Sequence, residues 1–154
     1  MRSGPVKKEQ KPADPIYKSK IVARVVSLVM QHGEKRVAEN IVYGVISKLN
    51  DDKKLAVETF ESAVKNVMPK LEVRSRRVGG ATYQIPSPVN YGRSEALAVR
   101  WIISAARKKK GKPMEEKLFE EIKNAHQGIG DAIKKRDDVH KMAEANKAFS
   151  HFKF

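Results

Sequence analysis

Apolar positions recur at helical spacing along most of the chain. Ile21, Val22, Val25, Val26, Leu28 and Val29 form a wide stripe that predicts a first helix. Ser19 stands where an N-cap belongs, and Gly33 where a helix stop belongs. Val37, Ile41, Val45 and Leu49 predict a second helix with that face inward, ended by Asn50-Asp51-Asp52. A third runs from about Leu55, aligning Phe60, Ala63, Val64 and Val67, and Pro69 closes it. A fourth spans about Arg93 to Lys109, with Ala96, Leu97, Val99, Ile102, Ile103 and Ala106 on its apolar face and Trp101 adding bulk. The fifth opens at Pro113, turns Leu118, Phe119, Ile122 and Ala125 inward and stops at Gly128. The sixth is expected near Asp137-Asp138, since acids favour a helix N-terminus. Its stripe is Val139, Met142, Ala143, Asn146, Phe149 and Phe152.

Between the third and fourth helices the period changes to two. Glu72 to Val78 and Ala81 to Pro86 flank Gly79-Gly80, the signature of a two-residue hairpin turn. That turn pairs Val78 with Ala81 and sets Arg76 opposite Tyr83. Arg74, Arg76 and Tyr83 then share one face, and Ser75, Arg77, Thr82 and Gln84 the other. Pro86 and Pro88 exclude a central strand position. A lone hairpin is marginal in water, so it is expected to protrude with only its base packed. The fold class is mainly α: one helical domain over 15–154 with six helices, bundle-like, and a protruding β-hairpin at about 72–86. Residues 1–14, which offer nothing to bury, read as a basic, extended, flexible arm.

Charge adds the partner. The chain carries 32 Lys+Arg against 18 Asp+Glu, a formal +14 in 154 residues. The excess is concentrated: residues 1–20 are net +4 and residues 70–110 net +8, while 21–69 and 111–154 are each net +1. A folded body with one basic face and a basic arm suits a polyanion, nucleic acid before anionic lipid. Three arginines in four residues, at 74, 76 and 77, are costly to crowd without an anion. Guanidinium forks suit phosphate, and an aromatic among them suits unstacked RNA bases. The plainer reading is a charged edge that blocks strand pairing.

Arg74, Arg76, Arg77, Arg93, Arg100 and Arg107 are the first candidates for phosphate or base contacts, with Tyr83 for stacking. Lys35 and Arg36 follow, with Lys108, Lys7, Lys8, Lys11, Lys134, Lys135 and Arg136. Gly79 and Gly80 make the turn. Arg100 interrupts an apolar face and has a second reading as a structural ion-pair partner.

Chemistry other than binding finds little support. No cysteine is present, which excludes thiolate metal sites and disulfides and fits a reducing compartment. His32, His126, His140 and His151 have no metal-ligand spacing. The paired acids Glu115-Glu116, Glu120-Glu121 and Asp137-Asp138 read as solvated helix surface rather than acid–base machinery. Gly128-Ile129-Gly130 has Ile133 where a third glycine is needed, so it is no dinucleotide turn. No catalytic residue, metal or cofactor is expected. The polar N-terminus is no secretory signal, and no apolar run is long enough to span a bilayer. A DNA-architectural protein and a membrane-surface module built on the fourth helix are the alternatives.

Four stretches carry a resemblance. Glu72 to Gln84 reads E-V-R-S-R-R-V-G-G-A-T-Y-Q. Ala38 to Gly44, Ala96 to Ile102 and Lys134 to Phe149 fall in the same order as in that family. Together they resemble the small-subunit ribosomal protein seven family, bacterial or organellar type, from about Pro15 to Phe154. The resemblance implies a helical body that binds the 3′ major domain of small-subunit ribosomal RNA and nucleates assembly of the subunit head. It implies neighbouring ribosomal proteins of the head and platform as partners, and a hairpin near the exit-site transfer RNA and the messenger RNA path. It also implies a cytoplasmic ribosome, or an organellar one. Asn90 and Ser94 stand where many relatives carry arginine, and the ending is reduced to Phe152-Lys153-Phe154.

Overall fold

The computed structural model describes residue 4 and residues 12–152. Among them are six α-helices, one two-stranded antiparallel sheet and a closing 3-10 helix. Residues 1–3 and 5–11 of the expected arm lie outside the described residues, but its last residue, Asp14, is buried. Its buried carboxylate accepts from the Ile16 and Tyr17 amides and from the Tyr43 hydroxyl, the last at 2.8 Å.

Helix α1 spans Lys20–Val29, and Ser19 caps it as expected, accepting from the Val22 amide and donating to Glu61 at 2.6 Å. It ends at Val29, with Met30 as C-cap, earlier than the stop expected at Gly33. The reason is tertiary: the carbonyls of Leu28 and Val29 accept from Arg107, so the helix end needs no glycine. Gly33, with φ of 81°, serves the turn into α2 instead.

Helix α2 spans Lys35–Leu49 and buries Ala38, Val42, Val45 and Ile46. The expected inward face was a run of four-residue steps. Each step drifts about 40° around a helix, so such a run leaves the core. Val37 is accordingly 51% exposed, and only Val45 of the four is buried. Helix α3, Lys53–Val67, starts two residues before Leu55 because Asp52 caps it, accepting from the Lys54 amide at 2.9 Å. Its fully buried Phe60 is among the largest side chains in the core.

Strands β1 (Leu71–Val78) and β2 (Ala81–Pro88) form the hairpin in the expected register, Val78 facing Ala81 and Arg76 facing Tyr83. Gly79 and Gly80 both have positive φ, 58° and 90°, as a primed two-residue turn requires. The prolines sit on a strand with one neighbour. The hairpin is packed beyond its base, because the 3-10 helix Lys147–Phe152 lies along β2. That helix takes over where the sixth stripe was expected to continue.

Helix α4 spans Tyr91–Lys108 and α5 spans Met114–His126. Helix α6 spans Asp131–Ala145, six residues earlier than Asp137-Asp138 suggested. Gly130, at φ 104°, turns the chain, and buried Glu121 of α5 caps the new helix by accepting from the Ala132 amide at 3.0 Å. Lys134, Lys135 and Arg136 therefore lie on a helix. Glu121 is 1% exposed, so the expectation of a solvated acid there is corrected. Its second oxygen lies 3.0 Å from the Lys109 ammonium, a charge contact without hydrogen-bond alignment. The six helices share one apolar core to which each contributes.

Candidate nucleic-acid interface

Seven-residue spacing puts Arg93, Arg100 and Arg107 on one side of α4, with only about 20° of drift and about 10 Å of rise per step. All three are exposed. The spacing was readable in the sequence, where apolar periodicity drew attention instead. Arg100 is exposed and makes no ion pair among the described residues, which favours the binding reading over the structural one.

The hairpin meets this row at its N-terminal end. The Val89 amide donates to the Lys70 carbonyl, and the Ser94 hydroxyl donates to the Pro69 carbonyl at 2.8 Å. Between strand and helix sits Glu72. Its Oε1 accepts from Arg74 Nε and its Oε2 accepts from Arg93 Nε at 2.7 Å. Burial pushes the Glu72 carboxyl up, but the bonds from Arg93 and Arg74 outweigh this and hold it below the ordinary carboxylate range. It is charged at neutral pH. Arg24 of α1, absent from the candidates, joins the same end: it pairs with Glu95 at 2.6 Å and reaches the Gly92 carbonyl. Its isolation in an apolar stripe was the available signal.

Other candidates divide. Arg77 is exposed on the hairpin, and Arg76 is half-buried. The Tyr83 ring lies 5.3 Å from that of Phe149. Lys108 and Arg36 are exposed, and exposed Lys35 lies 3.4 Å from Glu39 one turn on. Lys134 and Lys135 are exposed on α6. Arg136 instead turns to the fold, donating to the Asn66 carbonyl at the end of α3 and to Asp137. Arg107 likewise serves α1. Lys7, Lys8 and Lys11 lie outside the described residues.

No group of three or more metal-ligating side chains is gathered among the described residues. No described helix is long and apolar enough to cross a membrane. A helical body with an arginine row leading into a basic hairpin defines a class, the nucleic-acid-binding protein. The comparisons point to a family within that class. The family model for ribosomal protein S7p/S5e matches residues 1–147. Small ribosomal subunit protein uS7 of Fervidobacterium nodosum is 54% identical over 142 residues, 92% of each chain. That of Thermotoga neapolitana is 50% identical over the full length of both. That of Acholeplasma laidlawii is 46% identical over 99% of each. The chain belongs to the ribosomal protein S7p/S5e family, whose members are structural components of ribosomes and not enzymes.

Proposed function

We propose that this chain, a structural constituent of the small ribosomal subunit like the relatives it matches, binds the 3′ major domain of small-subunit ribosomal RNA and nucleates assembly of the subunit head. The carrying observation is the exposed row Arg93, Arg100 and Arg107 running into the hairpin base at Arg74. Such a row tracks a phosphate backbone, while the hairpin, with Arg76, Arg77 and a tight two-glycine tip, suits a narrower groove or an unstacked strand. This reading puts the hairpin near the exit-site transfer RNA and the messenger RNA path, and the remaining surfaces against neighbouring head and platform proteins. Lys35, Arg36, Lys108, Lys134 and Lys135 give secondary phosphate contacts.

The test is binding to a transcript of the 3′ major domain and to duplex DNA of equal length at equal salt. Arg100→Ala is the informative variant, because that side chain makes no ion pair within the described fold. It should bind the transcript several-fold more weakly and unfold like the parent. Equal affinity of the parent for both nucleic acids, or parental binding by Arg100→Ala, would sink the assignment.

A further inference from the structure

An acid in the middle of a polyanion-binding surface is unexpected. Coulomb's law alone makes Glu72 a liability, since it cancels one positive charge and repels phosphate. Yet its side chain is only 9% exposed, and each carboxylate oxygen holds a different arginine. Arg74 and Arg93 come from different elements, β1 and α4, and their side chains remain 63% and 55% exposed. Arg93 gives Glu72 only its Nε–H, leaving both Nη groups without a partner among the described residues. Nearby, Ser94 bonds Pro69 and Val89 bonds Lys70, so the backbone on both sides of the carboxylate is fixed.

We infer that Glu72 is a positioning residue for RNA: it holds Arg74 and Arg93 at a set separation, so that their outward N–H groups act as one preformed phosphate fork bridging hairpin and α4. The inference rests on the proposed RNA-binding reading and adds to it. Two free arginines lose rotamer freedom when they close on a phosphate, whereas a pair already ordered by a buried carboxylate has lost most of it during folding. Arg77, exposed on the opposite hairpin face, has no such brace among the described contacts.

The experiment measures affinity of the full chain for the 3′ major domain transcript, with Glu72→Gln and Glu72→Asp placed in the parent and in a chain carrying both Arg74→Ala and Arg93→Ala. A purely electrostatic role predicts that Glu72→Gln tightens binding and that Glu72→Asp, with unchanged charge, leaves it alone. Positioning predicts the reverse sign: both variants weaken binding by about three- to tenfold in the parent, the scale of one or two side chains re-ordered on binding. In the chain without the two arginines, neither variant should weaken it further. Tighter binding by Glu72→Gln, or parental binding by Glu72→Asp, overturns the inference. So does an equal loss in both backgrounds, which would mean that the hairpin base had simply unfolded. If removal of the two arginines leaves affinity unchanged, the site itself has been misplaced, a separate failure from that of Glu72.

Discussion

The ring of Tyr83 on β2 packs against that of Phe149 in the 3-10 helix, with centroids 5.3 Å apart and planes tilted by 52°. This contact joins the hairpin, well above its base, to the C-terminal segment, and Tyr83 is half-buried by the packing around it. An aromatic free to stack on RNA and an aromatic held in an intramolecular pair are different objects. Phe149 fixes which one the hairpin presents.

Phe149→Ala should therefore loosen the hairpin as well as the C-terminal turn. Loss of the ring pair and its buried area should cost about 1–2 kcal/mol. Amide exchange along β2 should rise in step. Unchanged protection of β2 would show that the hairpin stands without this brace.

Arg107→Ala removes the side chain that satisfies the last carbonyls of α1, those of Leu28 and Val29. The bonds are charge-assisted, one exposed and the other only partly buried, so a loss of about 1 kcal/mol in unfolding free energy is expected. Arg107→Lys keeps the charge, but its shorter side chain stops short of the Nη2 position that reaches both carbonyls, and it should recover little of the loss. Full recovery by lysine would assign the effect to charge rather than to capping.

Gly130→Ala should be among the more damaging single-methyl changes. The backbone there is at φ 104°, and an added Cβ would lie 3.1 Å from both the Asn124 Cβ and the Glu121 Oε1. Left-handed strain of this kind costs about 1–3 kcal/mol, and crowding the carboxylate that caps α6 adds to it. Chemical denaturation would measure the change, and a midpoint equal to the parent's would refute it.

Transcript binding should weaken steeply with salt. If about six phosphates are neutralised, the slope of log affinity against log salt should lie between about −4 and −5. A nearly flat titration would remove electrostatics as the driving term.

His140 should make stability depend on mild acid. Its Nε2 accepts from the Lys70 amide at 3.0 Å, which only the neutral ring can do. Burial, with the positive charge of Arg136 and Lys70, lowers its pKa from 6.5 against the opposing pull of Asp137. The unfolded chain thus takes up the proton first, so stability is full above that ordinary value and declines as pH falls through it toward the folded one. His140→Gln retains an acceptor without the titration, and its unfolding midpoint should change less between pH 7 and pH 5. Parallel pH profiles for the two proteins would rule His140 out.

What the chain determines by itself is local. The hairpin register follows from Gly79-Gly80, because a two-residue turn with positive φ leaves only one pairing. The α1 start follows from Ser19, and the existence of six helices follows from apolar spacing that repeats within one or two turns. The basic hairpin and the α4 arginines are likewise written in residue type. What only the tertiary structure decided involves partners far apart in sequence. The end of α1 depends on Arg107, the start of α6 depends on Glu121, and the side of α2 that turns inward depends on the helices around it. The same holds for side-chain roles. Arg107 and Arg136 look like their neighbouring cations, yet each is bonded to a helix-end carbonyl some seventy or more positions away. A side chain's composition states what it can bond to. Which of those bonds forms is settled by the packing that brings a buried carbonyl or carboxylate within reach, because a group shut away from water must be satisfied by whatever donor the fold delivers.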